Sequence, residues 1–206
     1  YACDWDRFEY GDQAAGPSSF NADEPYFLYV GRYVREKGID TLAEAYRRYK
    51  NNVSAPWRLV CAGAGPLENT LSEVGAENLG FVQPEQLPYF MRNAAAFVLP
   101  SRYEPWGVVA QEAAASGLPL LLSDEVGAGV HLLRDGLNGF KHPPGDAKAL
   151  GDCLSRLHQT KKEKISLMGQ HSKSLSQQYT PEHWANTFAS GLNILRNNSA
   201  VHESKS

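Results

Sequence analysis

The chain has few cysteines, no long apolar run and no excess of positive charge, and each shortage excludes a class of protein. Its 3 cysteines are widely spaced over 206 residues, which is typical of reduced thiols in a cytoplasmic protein. No apolar run approaches the roughly 18 residues of a membrane-spanning helix. The polar, acidic start does not match a signal peptide. With 20 Lys and Arg against 23 Asp and Glu, the chain lacks a generally basic surface for nucleic acid.

Several nucleotide and metal motifs are also missing. Gly63 and Gly65 match the first two glycines of the dinucleotide fingerprint, but Glu68 stands at the third position. There is no GxxxxGK[ST] phosphate loop, no HExxH zinc pair and no GxSxG nucleophile elbow. The 6 histidines show no ligand spacing with Cys or carboxylates, so the sequence predicts no metal site.

What the chain does have is a regular alternation of short apolar runs and amphipathic segments. The pattern predicts strands at residues 26–30, 59–62, 78–82, 95–99, 119–122 and 139–141. Helices are predicted between them. Strands alternating with helices imply right-handed crossovers, and therefore a Rossmann-like three-layer α/β domain with a mostly parallel six-stranded sheet.

The two ends of the chain differ from this alternation. Residues 1–24 have the composition of a linker, and with no initiating Met the sequence is expected to be a piece of a larger protein. Beyond residue 146 only helices are predicted, at residues 146–159 and 162–178. A last helix is expected to be capped by Thr180, with Pro181 at its first position.

Two segments carry the candidate binding residues. In the first, residues 30–38, Gly31 allows the chain to turn after a strand, and Arg32 and Lys37 follow. Ligands of open α/β sheets bind beyond the carboxyl ends of the strands, so the two cations lie where an anion binds. The alternative is an ordinary solvated loop.

The second segment, residues 100–124, contains two carboxylates at different depths of one crevice. Glu104 precedes a helix opened by Gly107, and Glu112 lies eight residues further on. Backbone amides around Trp106, Gly107 and Val108 offer an anion site that needs no metal. Glu112 can accept hydrogen bonds from paired hydroxyls such as those of a ribose, or it is simply a carboxylate on a helix surface.

These residues resemble the retaining, GT-B type glycosyltransferases of family 4, the group 1 transferases. Each motif alone is weak, and their joint occurrence over most of the chain is specific. The motifs are Gly31-Arg32 with Lys37-Gly38, Ala62-Gly63-Ala64-Gly65-Pro66, Glu104 and Glu112 at E-x7-E spacing, Ser123-Asp124, and Asp135-Gly136-Leu137-Asn138-Gly139-Phe140. Residues 3–8 also look like the interdomain segment of such enzymes.

The resemblance implies a role for each candidate residue. Arg32 and Lys37 would hold the donor diphosphate, with Gly31 beside them, and Glu104 would contact the transferred sugar. Glu112 would bind the ribose hydroxyls. The remaining candidates act through the backbone, at the phosphate (Trp106, Gly107 and Val108) and at the base (Phe81 and Val82).

The resemblance also implies an organisation and a reaction. Residues 1–24 would be an interdomain linker, residues 25–178 the donor-binding half of a GT-B fold, and residues 179–206 a crossover helix and tail. The donor would be a nucleotide diphosphate sugar, with no cofactor or metal. The partner would be an acceptor-binding N-terminal domain of the same polypeptide, without which this part of the chain is expected to be inactive. The parent enzyme would be cytoplasmic, and its contact with a membrane surface is left open.

Two departures and three alternatives accompany this interpretation. Trp106 stands where the family often has Phe, and residues 125–129 replace the usual Gly-Gly turn, which leaves the role of that loop open. The alternatives are a non-catalytic sugar-nucleotide module, a GT-B-like epimerase and an NAD(P)-binding dehydrogenase domain. The missing third glycine and the absence of an acid at a strand end argue against the dehydrogenase.

Overall fold

Short strands and helices alternate along the chain in the computed structural model, which describes residues 3–10, 17, 20–180, 182–183 and 185–190. The strands are β1 (Tyr26–Val30), β2 (Arg58–Ala62), β3 (Glu77–Gly80), β4 (Ala96–Leu99), β5 (Leu120–Ser123) and β6 (Gly139–His142). The helices are α1 (Trp5–Tyr10), α2 (Ile39–Asn52), α3 (Glu68–Glu73), α4 (Leu87–Asn93), α5 (Val108–Ala115), α6 (Gly129–Leu132), α7 (Ala147–His158) and α8 (Lys162–Ser176).

The six strands form one parallel sheet in the order β3-β2-β1-β4-β5-β6. The Rossmann-like α/β fold expected from the sequence is confirmed. The chain moves outward from β1 to β3, then crosses back to β4 and moves outward in the other direction. The crossovers that follow β1 and β4 therefore lead in opposite directions from the carboxyl edge of the sheet, where open α/β sheets bind their ligands.

Helices cover both faces of the sheet, which explains why the inner strands β1, β4 and β5 are almost wholly apolar. α2 packs against α3 and α7, whereas α5 packs against α1, α6 and α8. β4 and β5 are buried at every position. Burial on two faces removes the polar–apolar alternation of a half-exposed strand, so short continuous apolar runs were the correct signal.

Two elements differ from the sequence expectation. The strand expected over residues 78–82 ends at Gly80, because the Asn78 side chain accepts a hydrogen bond from the Gly80 amide (2.9 Å) and Gly80 turns with φ +65°. α1 lies in the segment assigned to a linker. It has only 6 residues and carries Trp5 and Phe8 into the core, and the Trp5 indole donates to Ser176 at 2.9 Å.

The end of the chain is helical where the structure describes it. Residues 182–183 and 185–190 are helical, and the Thr180 hydroxyl accepts a hydrogen bond from the His183 amide at 3.1 Å, so the predicted cap is present. Pro181 and residues 191–206 lie outside the described residues. None of the described helices has the length and apolar character needed to cross a membrane.

The loops after β1 and β4 meet at Gly38. A methyl group on this residue would lie 2.1 Å from the carbonyl oxygen of Pro100, and Gly38 has φ +70°. Both the close approach and the left-handed backbone require glycine. Gly80 has a similar φ of +65°, but open space surrounds its Cβ position.

Gly38→Ala should therefore destabilise the protein more than Gly80→Ala. The left-handed backbone costs an alanine roughly 1–2 kcal/mol at either position. Displacing the Pro100 carbonyl should add about 1–3 kcal/mol at Gly38 alone. Urea denaturation of both variants measures the difference, and equal free energies of unfolding would contradict the close packing of these two loops.

Candidate functional site

Some of the predicted site residues lie at the carboxyl edge of the sheet, where β1, β2 and β3 end. A hollow of about 350 Å³ opens there, lined by Gly31, Arg32, Gly63, Phe81 and Val82 among others. Arg32 is exposed, and the Phe81 ring is 73% exposed at the rim. The structure thus brings together a cation, two glycines and an aromatic side chain that the sequence singled out from three separate segments.

Close backbone packing forms the wall of this hollow. A Cβ on Gly63 would lie 1.9 Å from the Gly31 carbonyl oxygen, and one on Gly65 would lie 2.6 Å from that of Tyr33. The Gly31 amide donates to the Ala62 carbonyl at 3.0 Å. The glycines of residues 62–66 thus allow the loop after β2 to lie directly on the loop after β1.

Lys37 and Glu104, which follow different strands, form an ion pair. The Lys37 ammonium donates to Oε2 of Glu104, and their side chains are only 19% and 14% exposed. This contact was not part of the sequence interpretation, which gave each residue a separate contact with the donor. Because the pair is largely shielded from water, removing either partner would leave a charge without compensation.

Backbone hydrogen bonds hold the two loops in the position that this pair requires. The Glu36 carbonyl accepts from the amides of Arg102 (2.8 Å) and Tyr103 (3.3 Å). The Arg102 guanidinium also donates to Asp40 at 2.8 Å. The turn that carries Lys37 and the loop that carries Glu104 therefore form one connected unit.

The loop of residues 125–129 supports Glu104 from the other side. The Gly127 amide donates to the Glu104 carbonyl at 3.0 Å, and the Ala128 amide donates to the Trp106 carbonyl at 2.8 Å. A Cβ on Gly127 would lie 2.1 Å from the Pro105 carbonyl oxygen. The segment that departs from the usual Gly-Gly turn thus still makes a glycine-dependent contact.

The start of α5 lies directly beside the Lys37–Glu104 pair. Gly107 precedes the helix with φ +93°, and the Glu104 Cγ lies 3.2 Å from its Cβ position. The amides of Gly107 and Val108 donate no hydrogen bond within the described part of the chain. The Trp106 ring packs near His131 and Tyr179, with centroid separations of 5.6 and 6.5 Å, so the indole fixes the loop by packing.

Glu112 occupies a different environment, on α5 beside α1. It is half-buried, and its carboxylate forms no hydrogen bond or ion pair with any described residue. Burial raises its pKa from 4.5 to about 7, while Arg7 of α1 acts in the opposite direction. A half-buried carboxylate without a partner differs from an ordinary solvated helix residue, and such groups occur often at binding sites.

The structure thus assembles most of the predicted residues in two neighbouring groups. Arg32 lines the hollow with Gly31, Phe81 and Val82, while Lys37 and Glu104 lie against the start of α5. The Tyr29 hydroxyl donates to the Arg32 carbonyl at 2.9 Å. Burial raises the pKa of Tyr29, and Glu104 adds to this effect. The Arg32 main chain thus lies against the Tyr29 hydroxyl.

Glu112 stands apart from these contacts, and its charged neighbour was missed. Arg7 lies in the short segment that the sequence interpretation treated as a linker. The resemblance of residues 3–8 to an interdomain segment was the available signal, but it did not identify a residue facing Glu112. Cys3 belongs to the same segment of the chain. The pKa of its thiol is raised to about 12, mainly by burial and secondly by the negative charge of Glu112.

Neither histidine nor carboxylate clusters form a metal site within the described residues. His158 accepts from or donates to the Tyr49 hydroxyl at 2.8 Å, and His142 contacts the Pro143 carbonyl at 2.9 Å. Burial lowers the pKa of His142. The three cysteines, Cys3, Cys61 and Cys153, are buried and free.

Glu112 should make stability depend on pH. Between its ordinary pKa of 4.5 and its folded pKa of about 7, the folded state keeps a proton that the unfolded chain releases. Stability should therefore fall as the pH rises through this range, and the penalty should persist above it. Glu112→Gln removes the penalty, so its stability relative to the wild type should rise by about 3 kcal/mol between pH 4.5 and 8.

Urea denaturation at the two pH values measures this difference. Glu73→Gln, at an exposed position of α3, is the matched control, and its effect should be the same at both pH values. A pH-independent difference for Glu112→Gln as well would contradict the raised pKa of Glu112 in the folded protein.

Comparison with known proteins identifies the family. The profile described as "Glycosyl transferases group 1" matches residues 12–167. An uncharacterized glycosyltransferase of Methanocaldococcus jannaschii is 34% identical over 145 residues, which cover 65% of this chain and 36% of that protein. The alpha-D-kanosaminyltransferase of Streptomyces kanamyceticus is 34% identical over 143 residues, which cover 66% of this chain and 36% of that protein. The chain thus spans about a third of the length of these relatives.

Solved structures show the same fold. The sucrose-phosphate synthase of Thermosynechococcus elongatus superimposes with a TM-score of 0.73 at 28% identity, covering 87% of this chain and 47% of that one. HepE of Anabaena, solved in complex with UDP, superimposes with a TM-score of 0.72 at 20% identity, covering 84% of this chain and 50% of that one. With three quarters of its residues inside the family profile, the chain belongs to the group 1 glycosyl transferases.

Proposed function

We propose that this chain is the donor-binding domain of a retaining glycosyltransferase, which transfers a hexose from a nucleotide diphosphate sugar to an acceptor. The observation that carries the proposal is the position of the Lys37–Glu104 pair. It lies against the start of α5 at the carboxyl edge of the sheet, where the crossovers after β1 and β4 lead in opposite directions. The Arg32 hollow opens at the same edge. Cations and free amides gathered at this edge are suited to a diphosphate.

The diphosphate would be held by Arg32, Lys37 and the first amides of α5. An ammonium has three donors, and Glu104 occupies one of those on Lys37. Two remain for phosphate oxygens. The free amides of Gly107 and Val108 add donors that need no reorganisation when the substrate arrives.

The same groups would favour the reaction itself. The bond between the sugar C1 and the diphosphate oxygen breaks, and its electron pair leaves negative charge on the diphosphate. Donors directed at those oxygens stabilise the transition state more than the ground state. The acceptor oxygen forms the new bond to C1 and gives its proton to the departing phosphate oxygen on the same face, so the anomeric configuration is retained.

Glu104 and Glu112 would have different tasks. Glu104 is held by its ion pair with Lys37 and by the hydrogen bond from the Gly127 amide to its carbonyl. We propose that it accepts hydrogen bonds from hydroxyls of the transferred sugar, and we favour this role over that of a covalent nucleophile. Glu112 would accept the two hydroxyls of the ribose. Its carboxylate has no hydrogen-bond partner among the described residues, so those hydroxyls would supply its missing hydrogen bonds.

The nucleobase would lie in the hollow beside Phe81 and Val82. UDP is the first probe to test, because the HepE protein of the same fold was solved with UDP bound. Transfer would also need the acceptor-binding domain of the parent polypeptide. We propose that the parent enzyme works in the cytoplasm, and that this part of the chain alone binds donor but transfers little sugar.

Arg32→Met should weaken UDP binding by about tenfold or more, because a charge-assisted hydrogen bond to phosphate contributes on the order of 1.5–3 kcal/mol. Arg35→Met is the matched control. Arg35 lies three residues away, is 78% exposed and points to Asp40, so its loss should leave the affinity within about twofold of the wild type. Isothermal titration calorimetry measures both. Equal losses would indicate nonspecific attraction, and no loss would remove Arg32 from the site.

UDP binding should persist in excess EDTA. We propose that Arg32, Lys37 and the α5 amides neutralise the diphosphate without a divalent cation. Titrations with EDTA and with added Mg²⁺ or Mn²⁺ should give dissociation constants within about threefold of each other. A strict requirement for either metal would overturn the metal-independent mechanism while leaving the fold and family unaffected.

A further inference from the structure

A larger cavity lies at the opposite edge of the sheet from the donor site. It has a volume of about 560 Å³ and is bordered by Pro25, Ala95 and Pro119, which precede β1, β4 and β5. The donor hollow lies beyond the other end of β1, which at about 3.3 Å per residue is roughly 16 Å away. The proposed transferase function leaves this cavity without a role.

Arg92 is the unusual residue of this cavity. It lies in the last turn of α4, and its Nη1 atom is buried without a hydrogen-bond partner among the described residues. The guanidinium forms no ion pair with Asp23, although both residues line the cavity. No described residue compensates the charge of this guanidinium, so the charge is available to an anion in the cavity.

Further donors line the same cavity. Lys162, the first residue of α8, lines the cavity with an exposed side chain. Trp57 forms part of the wall, and its indole N–H donates to no described residue. Leu118 and Ile165 supply apolar surface between the polar groups. The cavity thus combines two cations and a neutral donor with an apolar wall, as small-molecule sites do.

The balance of donors and acceptors defines the ligand. A carboxylate ligand would offer two oxygens and one negative charge. A phosphate monoester offers three terminal oxygens and a charge near −2 at neutral pH, so its charge matches the two positive charges of Arg92 and Lys162. The carboxylate of Asp23 can only accept hydrogen bonds, so it favours hydroxyl groups on the rest of the ligand. The cavity is also far larger than one phosphate.

We propose that this cavity binds a small phosphate monoester that carries hydroxyl groups, of the size of a sugar phosphate. The phosphate lies between Arg92 and Lys162, and the hydroxyls face Asp23. This site is separate from the donor site and does not depend on the proposed transferase reaction.

Isothermal titration calorimetry of the full chain with glucose 6-phosphate tests the proposal, with inorganic phosphate and glucose as comparison ligands. Glucose 6-phosphate should bind with a dissociation constant below about 1 mM. Inorganic phosphate should bind at least about tenfold more weakly, because it leaves Asp23 and the apolar wall unused. Glucose should give no measurable heat. No binding of the ester, or equal binding of ester and inorganic phosphate, would overturn the proposal.

Variants then locate the site. Arg92→Met and Lys162→Met should each weaken binding of glucose 6-phosphate by about tenfold or more. Lys164→Met is the matched control, because Lys164 is an exposed lysine in the same turn of α8 that does not line the cavity, and its affinity should be unchanged. Lys162 is exposed, so Lys162→Met should fold normally. If circular dichroism shows that Arg92→Met does not fold, Lys162→Met decides the outcome. Full affinity in Lys162→Met, or an equal loss in Lys164→Met, would contradict the site.

Discussion

The contact between the loops after β1 and β4 determines the geometry of the candidate donor site. Gly38 lies against the Pro100 carbonyl, and the Glu36 carbonyl accepts two amides of the β4 loop. These main-chain contacts bring Lys37 and Glu104 together although 67 residues separate them. A parallel sheet with diverging crossovers creates the crevice, and the backbone contacts determine which side chains face it.

The fold was predictable because its main signals are local. The run Tyr26–Val30 was predicted with its correct limits, since a strand buried on both faces is apolar throughout and Gly31 ends it. The end of β3 was predicted two residues too late, because it depends on the Asn78 side chain accepting a hydrogen bond from the Gly80 amide. α1 was not predicted, because 6 residues carry little periodicity and its tryptophan is held by Ser176, 171 residues away.

The candidate residues could be selected from the sequence, but the contacts between them could not. Arg32, Lys37, Glu104 and Glu112 were all selected from residue type and position after strands. The sequence could not show that Lys37 and Glu104 neutralise each other, since that contact arises from two loops meeting in space. Nor could it show the desolvation of Glu112, which depends on how α1 packs against α5. Pair contacts and burial are properties of the assembled fold.

The support of Glu104 by residues 125–129 has a consequence for sequence change. This loop holds the Glu104 segment through main-chain groups, and only Gly127 is sterically required. Glu125 and Val130, by contrast, are exposed to solvent. Substitutions at these two positions can change the outer surface of the loop while the backbone that holds Glu104 keeps its shape. The loop thus separates the positions that are free to vary in sequence from the main chain that supports the acid.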